Sequence, residues 1–178
     1  MPSPLTGKKP QIHDSVYLAP NVVIIGDVQI EEGCNIWFGV LIRGDVGTIK
    51  IGKNTSIQDN TTIHTAKGTT TIIGENCIIS HHCMIHGPTE ISYGCLVGIA
   101  SRVLQNSKLG EGCIVGEGAL LRNKEIPPNS YIVGIPAEKK SDLTEPGKPL
   151  GAVYADMYVE NGQIYKEFFE KNLNYYKL

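Results

Sequence analysis

Charge imbalance and long apolar runs are both missing from this 178-residue chain. Sixteen Lys plus Arg against eighteen Asp plus Glu leave a formal charge of −2, which gives no reason to expect a nucleic acid or an anionic membrane as partner. No apolar stretch approaches bilayer-spanning length, and the first ten residues, MPSPLTGKKP, contain no signal-peptide-like apolar core, so a cytoplasmic protein is expected. The five cysteines, from Cys34 to Cys113, form no CxxC pair and are odd in number, which fits neither a disulfide framework nor a sulfur-ligated zinc site.

What the chain has is a period of six. An aliphatic residue stands at Leu18, Ile24, Ile30, Ile36 and Ile42, then at Ile51, Ile57 and Ile63, then at Ile73, Ile79, Ile85, Ile91, Val97, Val103, Leu109, Val115 and Leu121. A 3.6-residue helical period drifts out of this phase, and plain strand alternation does not single out every sixth residue. Fixed periodicity of this length implies a solenoid. Small residues follow four positions after most of these aliphatics, and all five cysteines fall in that slot, where they read as compact corner filler and not as reactive thiols. The phase is interrupted by three extra residues between Ile42 and Ile51 and by four between Ile63 and Ile73, which predicts bulging loops at Gly44 to Thr48 and Thr65 to Thr71.

This pattern resembles the hexapeptide-repeat family, over about Leu18 to Leu121. The resemblance implies a mainly β protein, a left-handed parallel β-helix with three six-residue units per coil, stacked at about 4.8 Å. We place the β-helix at residues 1–140, with a turn signal at Ile132 to Ala137 (IVGIPA). Residues 141–178 then hold a linker with Pro146, Gly147 and Pro149 and a helix from about Ala152 to Leu173, part of the same domain. The apolar residues Val153, Met157, Ile164 and Phe168, with Tyr154, Tyr158, Tyr165 and Phe169 beside them, are expected to form the helix face that packs along the coils.

Counting three units per coil stacks Arg43, His64 and His86 as one outward column, each one position after its aliphatic. Trp37, Gln58 and Ser80 stack on the preceding face, with Phe38, Asp59 and His81 in a second column beside them. Two imidazoles on adjacent rungs suit one shared metal ion, since bonds of about 2.0–2.1 Å on converging rings match the rung spacing. A third ligand is then needed, and consecutive faces turn away from each other. In a cyclic trimer, His81 of one neighbour faces the His64 and His86 pair of the next, giving one metal site at each interface. His13 and His82 read as ordinary surface residues.

The motifs RGD (Arg43 to Asp45), IKIG (Ile49 to Gly52), TSIQD (Thr55 to Asp59), IH (Ile63, His64), ISHHCMIHG (Ile79 to Gly87) and LVGIAS (Leu96 to Ser101) are similar to those of the γ-class carbonic anhydrases and their close relatives. That resemblance implies a homotrimer in which His64, His81 and His86 bind Zn2+, or Fe2+ or Co2+, His81 coming from the adjacent subunit. It also implies an Arg43–Asp45 ion pair near the interface, supported by Asp59. Gln58 would bond the metal's solvent, and Tyr158 of the C-terminal helix would line the site. The implied reaction is reversible hydration of CO2 to bicarbonate by a metal-activated hydroxide. Two departures bear on turnover: the loop TAKGTTT lacks the carboxylates of the family archetype, and Ser56 stands where asparagine is usual. The competing readings are a CoA-dependent acyl- or acetyltransferase and a non-catalytic metal-binding scaffold.

Overall fold

The computed structural model describes residues 1–143 and 148–172. Short parallel strands wind into a β-helix of about seven turns, closed along one side by a single C-terminal helix. The first face stacks Leu18, Ile36, Ile57, Ile79, Val97, Val115 and Ile132 in register, one per rung. All of these except Leu18, at the open end, are buried. The second face stacks Ile24, Ile42, Ile63, Ile85, Val103 and Leu121, and the third Ile30, Ile51, Ile73, Ile91, Leu109 and Ile126. The stack therefore runs past Leu121 to Ile126 and Ile132. A five-residue step at 121–126 hides this continuation from a strict six-residue count.

Each buried aliphatic contributes about 1.5–3 kcal/mol by leaving water, and the column repeats that term at every rung. Corners demand left-handed backbone, which asparagine tolerates at low cost: Asn54, Asn60, Asn76, Asn106, Asn123 and Asn129 all have φ near +55°. His82 occupies one such corner at φ 58, exposed, as a turn residue.

The two interruptions differ. Within Leu41–Ile51 the strand is continuous: Gly26 pairs with Gly44 and Asp27 with Thr48, so only Asp45, Val46 and Gly47 are thrown out, as a bulge and not as the expected loop over 44–48. Gly26 permits this approach, for its φ is +86 and a Cβ there would lie 2.2 Å from the Gly44 carbonyl oxygen. Between Thr62–His64 and Thr70–Ile73 a true loop spans 65–69.

Four cysteines share one corner column. Cys34, Cys77, Cys95 and Cys113 donate to the carbonyls of Gly52, Ser92, Gly110 and Pro127, and Thr55 fills the remaining rung with the same bond to Gly74. Burial pushes the thiols of Cys34 and Cys83 up to about 12, and the neighbouring cysteines in the column, Cys77 beside Cys95 and Cys95 beside Cys113, together with burial raise those of Cys95 and Cys113. Ellman's reagent should therefore find no reactive thiol in the native protein and all five after guanidinium unfolding. A fast-reacting thiol in the folded state would contradict this packing.

The helix spans Leu150–Lys171, so its start precedes the expected Ala152; the expected end at Leu173, like Pro146 and Gly147, lies outside the described residues. Of the apolar stripe we expected, Tyr158 and Phe169 pack against Tyr17 and Trp37, but the fully buried positions are others. Gly151, Ala152, Ala155 and Gly162 face the coils, while Val153, Tyr154, Met157, Ile164, Tyr165 and Phe168 remain exposed in the single chain. Close approach explains the choice of small residues: a Cβ on Gly162 would sit 3.0 Å from Asn35 Cβ, and one on Gly151 2.4 Å from the Cys95 carbonyl oxygen. Trp37 anchors the contact edge-on to Tyr165 and Tyr158, at ring distances of 5.0 and 6.0 Å. Beyond Ser130–Val133 the chain reverses at residues 134–137, and Glu138–Asp142 pairs antiparallel to it, so part of the expected linker is a strand.

Candidate functional site

Register places Arg43, His64 and His86 on successive rungs of the second face, one position after the buried Ile42, Ile63 and Ile85. The bulge then turns Asp45 back toward them. Its side chain is 11% exposed, takes the Arg43 guanidinium on Oδ2 at 2.6 Å and meets His64 Nε2 with Oδ1 at 3.1 Å. Ser3 holds the bulge from outside, donating its hydroxyl to the Asp45 carbonyl at 2.9 Å. Burial works to raise the Asp45 carboxyl, but the bonds from Arg43 and His64 outweigh it and keep the group below its ordinary range.

Those partners assign the ring protons. An ionised Asp45 accepts from His64 Nε2–H, which leaves Nδ1 of His64 with its lone pair, 3.2 Å from His86 Nε2. Across the corner, His81 Nδ1 is 2.9 Å from Asp59 Oδ2, so its Nε2 is left open on a side chain that is 41% exposed. His86 Nδ1 lies 3.1 Å from the Gly87 carbonyl oxygen. His64 and His81 thus each have one nitrogen held by a carboxylate and the other available, and His86 turns Nε2 toward His64, a donor set that fits a divalent metal ion. His64 and His86 meet edge to face, ring centroids 5.0 Å apart. His81 does not join them within the chain: among the described residues no three His, Cys, Asp or Glu side chains converge.

Gly87 is required here by contact. A Cβ would lie 1.8 Å from the Thr71 hydroxyl, so only glycine lets the chain leave His86 along this path. Gln58 lies buried between Trp37 and Ser80 on the neighbouring face, and Tyr158 contacts Trp37, so both belong to that face and not to the histidine column. Asp59 pairs with His81, and Arg43 with Asp45, so within the chain the two carboxylates serve different histidines. Two residues escaped the motif reading. Ser3 precedes the repeat, and Gln105 follows Leu104, the residue that counting one coil onward from His86 reaches.

Burial, followed by the nearby Arg43 charge, pulls the His64 imidazole below its ordinary value of 6.5. The unfolded chain therefore binds this proton more readily than the fold does. The stability His64 contributes is present above pH 6.5 and is lost as pH falls through its lower folded value. In metal-free protein the melting temperature should drop between about pH 7.5 and 5.5, and His64→Gln should flatten that drop. An unchanged slope in the variant would contradict the assignment.

Known proteins support the same reading of the fold. Residues 9–44 match the model for the bacterial transferase hexapeptide family (six repeats). A crystal structure of a hexapeptide transferase family protein from Anaplasma phagocytophilum superposes with a TM-score of 0.84 at 33% identity, covering 90% of this chain and 95% of that one. The chain is thus a hexapeptide-repeat β-helix protein. A carbonic anhydrase of Geobacillus kaustophilus is 38% identical over 164 residues, 92% of this chain and 90% of that protein. The mitochondrial γ-carbonic anhydrase 2 of Arabidopsis thaliana is 34% identical over 165 residues, 89% of this chain but 59% of its own length. The chain belongs to the γ-carbonic-anhydrase-like family of hexapeptide-repeat proteins.

Proposed function

We propose that this protein is a metal-dependent carbonic anhydrase that interconverts CO2 and bicarbonate at sites shared between the subunits of a homotrimer. His64 and His86 of one subunit hold the metal together with His81 of the next, and Zn2+, Fe2+ and Co2+ all suit three neutral nitrogen donors with a position left open. The observation that carries the reading is the facing of His64 Nδ1 and His86 Nε2 at 3.2 Å, while Asp45 occupies the far nitrogen of His64.

When bound, such an ion supplies the positive charge that makes water acidic enough to serve as nucleophile near neutral pH. The chain's residues do the rest. Asp45 and Asp59 hold His64 and His81 in the tautomers that leave a lone pair outward. Gln58 and Tyr158 serve the site from the face that carries His81, Gln58 to orient the attacking water and Tyr158 to line the pocket that the trimer closes. Arg43, 41% exposed and bound to Asp45 through one nitrogen, retains free guanidinium donors for the bicarbonate anion. A second copy has an apolar surface to meet beside His81, since Ile99 and Met84 are exposed on the coils next to it.

Stopped-flow CO2 hydration by anaerobically purified protein of measured metal content tests the proposal, with acetyl transfer from 14C-acetyl-CoA assayed in parallel. Hydration above the buffer rate that is lost on chelation and regained with metal supports it. Buffer-rate hydration with both Zn2+ and Fe2+ loaded overturns the enzymatic claim, and acetyl transfer that survives demetallation points to the transferase reading.

A further inference from the structure

Gln105 lies in none of the family motifs, yet its half-buried amide nitrogen is 2.9 Å from His86 Nδ1. The same ring nitrogen is 3.1 Å from the Gly87 carbonyl oxygen, which only accepts. One nitrogen cannot serve both partners in this arrangement: a proton on Nδ1 suits the carbonyl and refuses an amide NH2, while a bare Nδ1 does the reverse. A half-turn of the amide exchanges its nitrogen and oxygen and removes the conflict.

We infer that Gln105 is a positioning residue that selects the tautomer of His86, its amide orientation switching the His64 and His86 pair between a metal-accepting state and a self-satisfied one. With the amide oxygen toward the ring, Gln105 and Gly87 both accept from Nδ1–H. His86 Nε2 then faces His64 Nδ1, lone pair to lone pair at 3.2 Å, an arrangement that a cation relieves. With the amide NH2 toward the ring, Nδ1 accepts and the proton moves to Nε2. It then donates to His64 Nδ1, whose own Nε2–H goes to Asp45, and Asp45 is held by Arg43. That chain from Gln105 to Arg43 is complete without an ion.

The inference rests on the metal reading above, and its test separates the two. Gln105→Glu offers only acceptors, Gln105→Lys only donors, and Gln105→Leu neither. Zn2+ and Co2+ affinities would be measured by chelator competition, and the His86 tautomer by 15N shifts of the metal-free proteins at about pH 8. Glu should show Nδ1–H and bind within about threefold of wild type or tighter. Lys should show Nε2–H and bind about 10–100-fold more weakly, with Leu between them. The same tautomer in all three variants overturns the inference, whatever their affinities. If wild type binds no metal while the tautomers still follow the Glu and Lys pattern, the role of Gln105 stands and the metal reading fails.

Discussion

Alanine in place of His64 should abolish stoichiometric metal binding and bring CO2 hydration down to the buffer rate, while the protein remains folded. His64 supplies one of two nitrogens that face each other on adjacent rungs, and removing it leaves His86 Nε2 with no second imidazole facing it among the described residues. The fold tolerates the loss because His64 points outward, one position beyond the buried Ile63, and the aliphatic column is untouched. What is lost locally is a bond to Asp45, about 1.5–3 kcal/mol for a charged acceptor, and Arg43 still holds that carboxylate at 2.6 Å. Metal by atomic emission, hydration by stopped flow and a thermal melt decide the matter together. Wild-type metal content in His64→Ala would remove this residue from the ligand set.

The second large effect concerns His81. Chains carrying His81→Ala should be as empty of metal as His64→Ala chains, yet a mixture of the two should not be. If each site draws His64 from one subunit and His81 from the next, random co-assembly of equal amounts restores about a quarter of the sites, those in which both contributing subunits happen to be intact at the residue they supply. Refolding the mixed chains and measuring metal per subunit gives the number directly. Were all three histidines supplied by one chain, no mixture would regain any metal, because every chain carries a defect. The position of His81 across a corner from the other two, bound to Asp59 and 41% exposed, is the reason to expect restoration.

The fold was legible in the sequence because the β-helix repeats one requirement at every rung. Each inward aliphatic from Ile24 to Leu121 lies in the core, and the six-residue count alone places Arg43, His64 and His86 on one column, as the register does. Where the period failed, local geometry explains why. Pairing persists through the three extra residues after Gly44 because Gly26 lets two backbones close up, a contact that no count of aliphatics reveals. The helix was legible only in part: Tyr158, Tyr165 and Phe169 of its expected face do meet Tyr17, Trp37 and Phe38, but the fully buried positions are the small residues Gly151, Ala152, Ala155 and Gly162. Tautomers and the partners that set them, Asp45 to His64 and Asp59 to His81, depend on side-chain directions that spacing does not encode.

The bulge at Asp45 to Gly47 and the loop at 65–69 share one property: pairing resumes in phase on their far side. Length is therefore free to vary at those two places, where added residues leave the stack outward. Elsewhere between Arg43 and His86 the chain behaves like a reading frame in space. A single residue inserted between Ile73 and Ile85 shifts His86 off its rung and turns its ring from solvent to core, while Ile85 goes the other way. Divergence in this protein should accordingly collect its insertions at the two tolerant places, and the spacing from Ile73 to His86 should admit substitution but not a change of length.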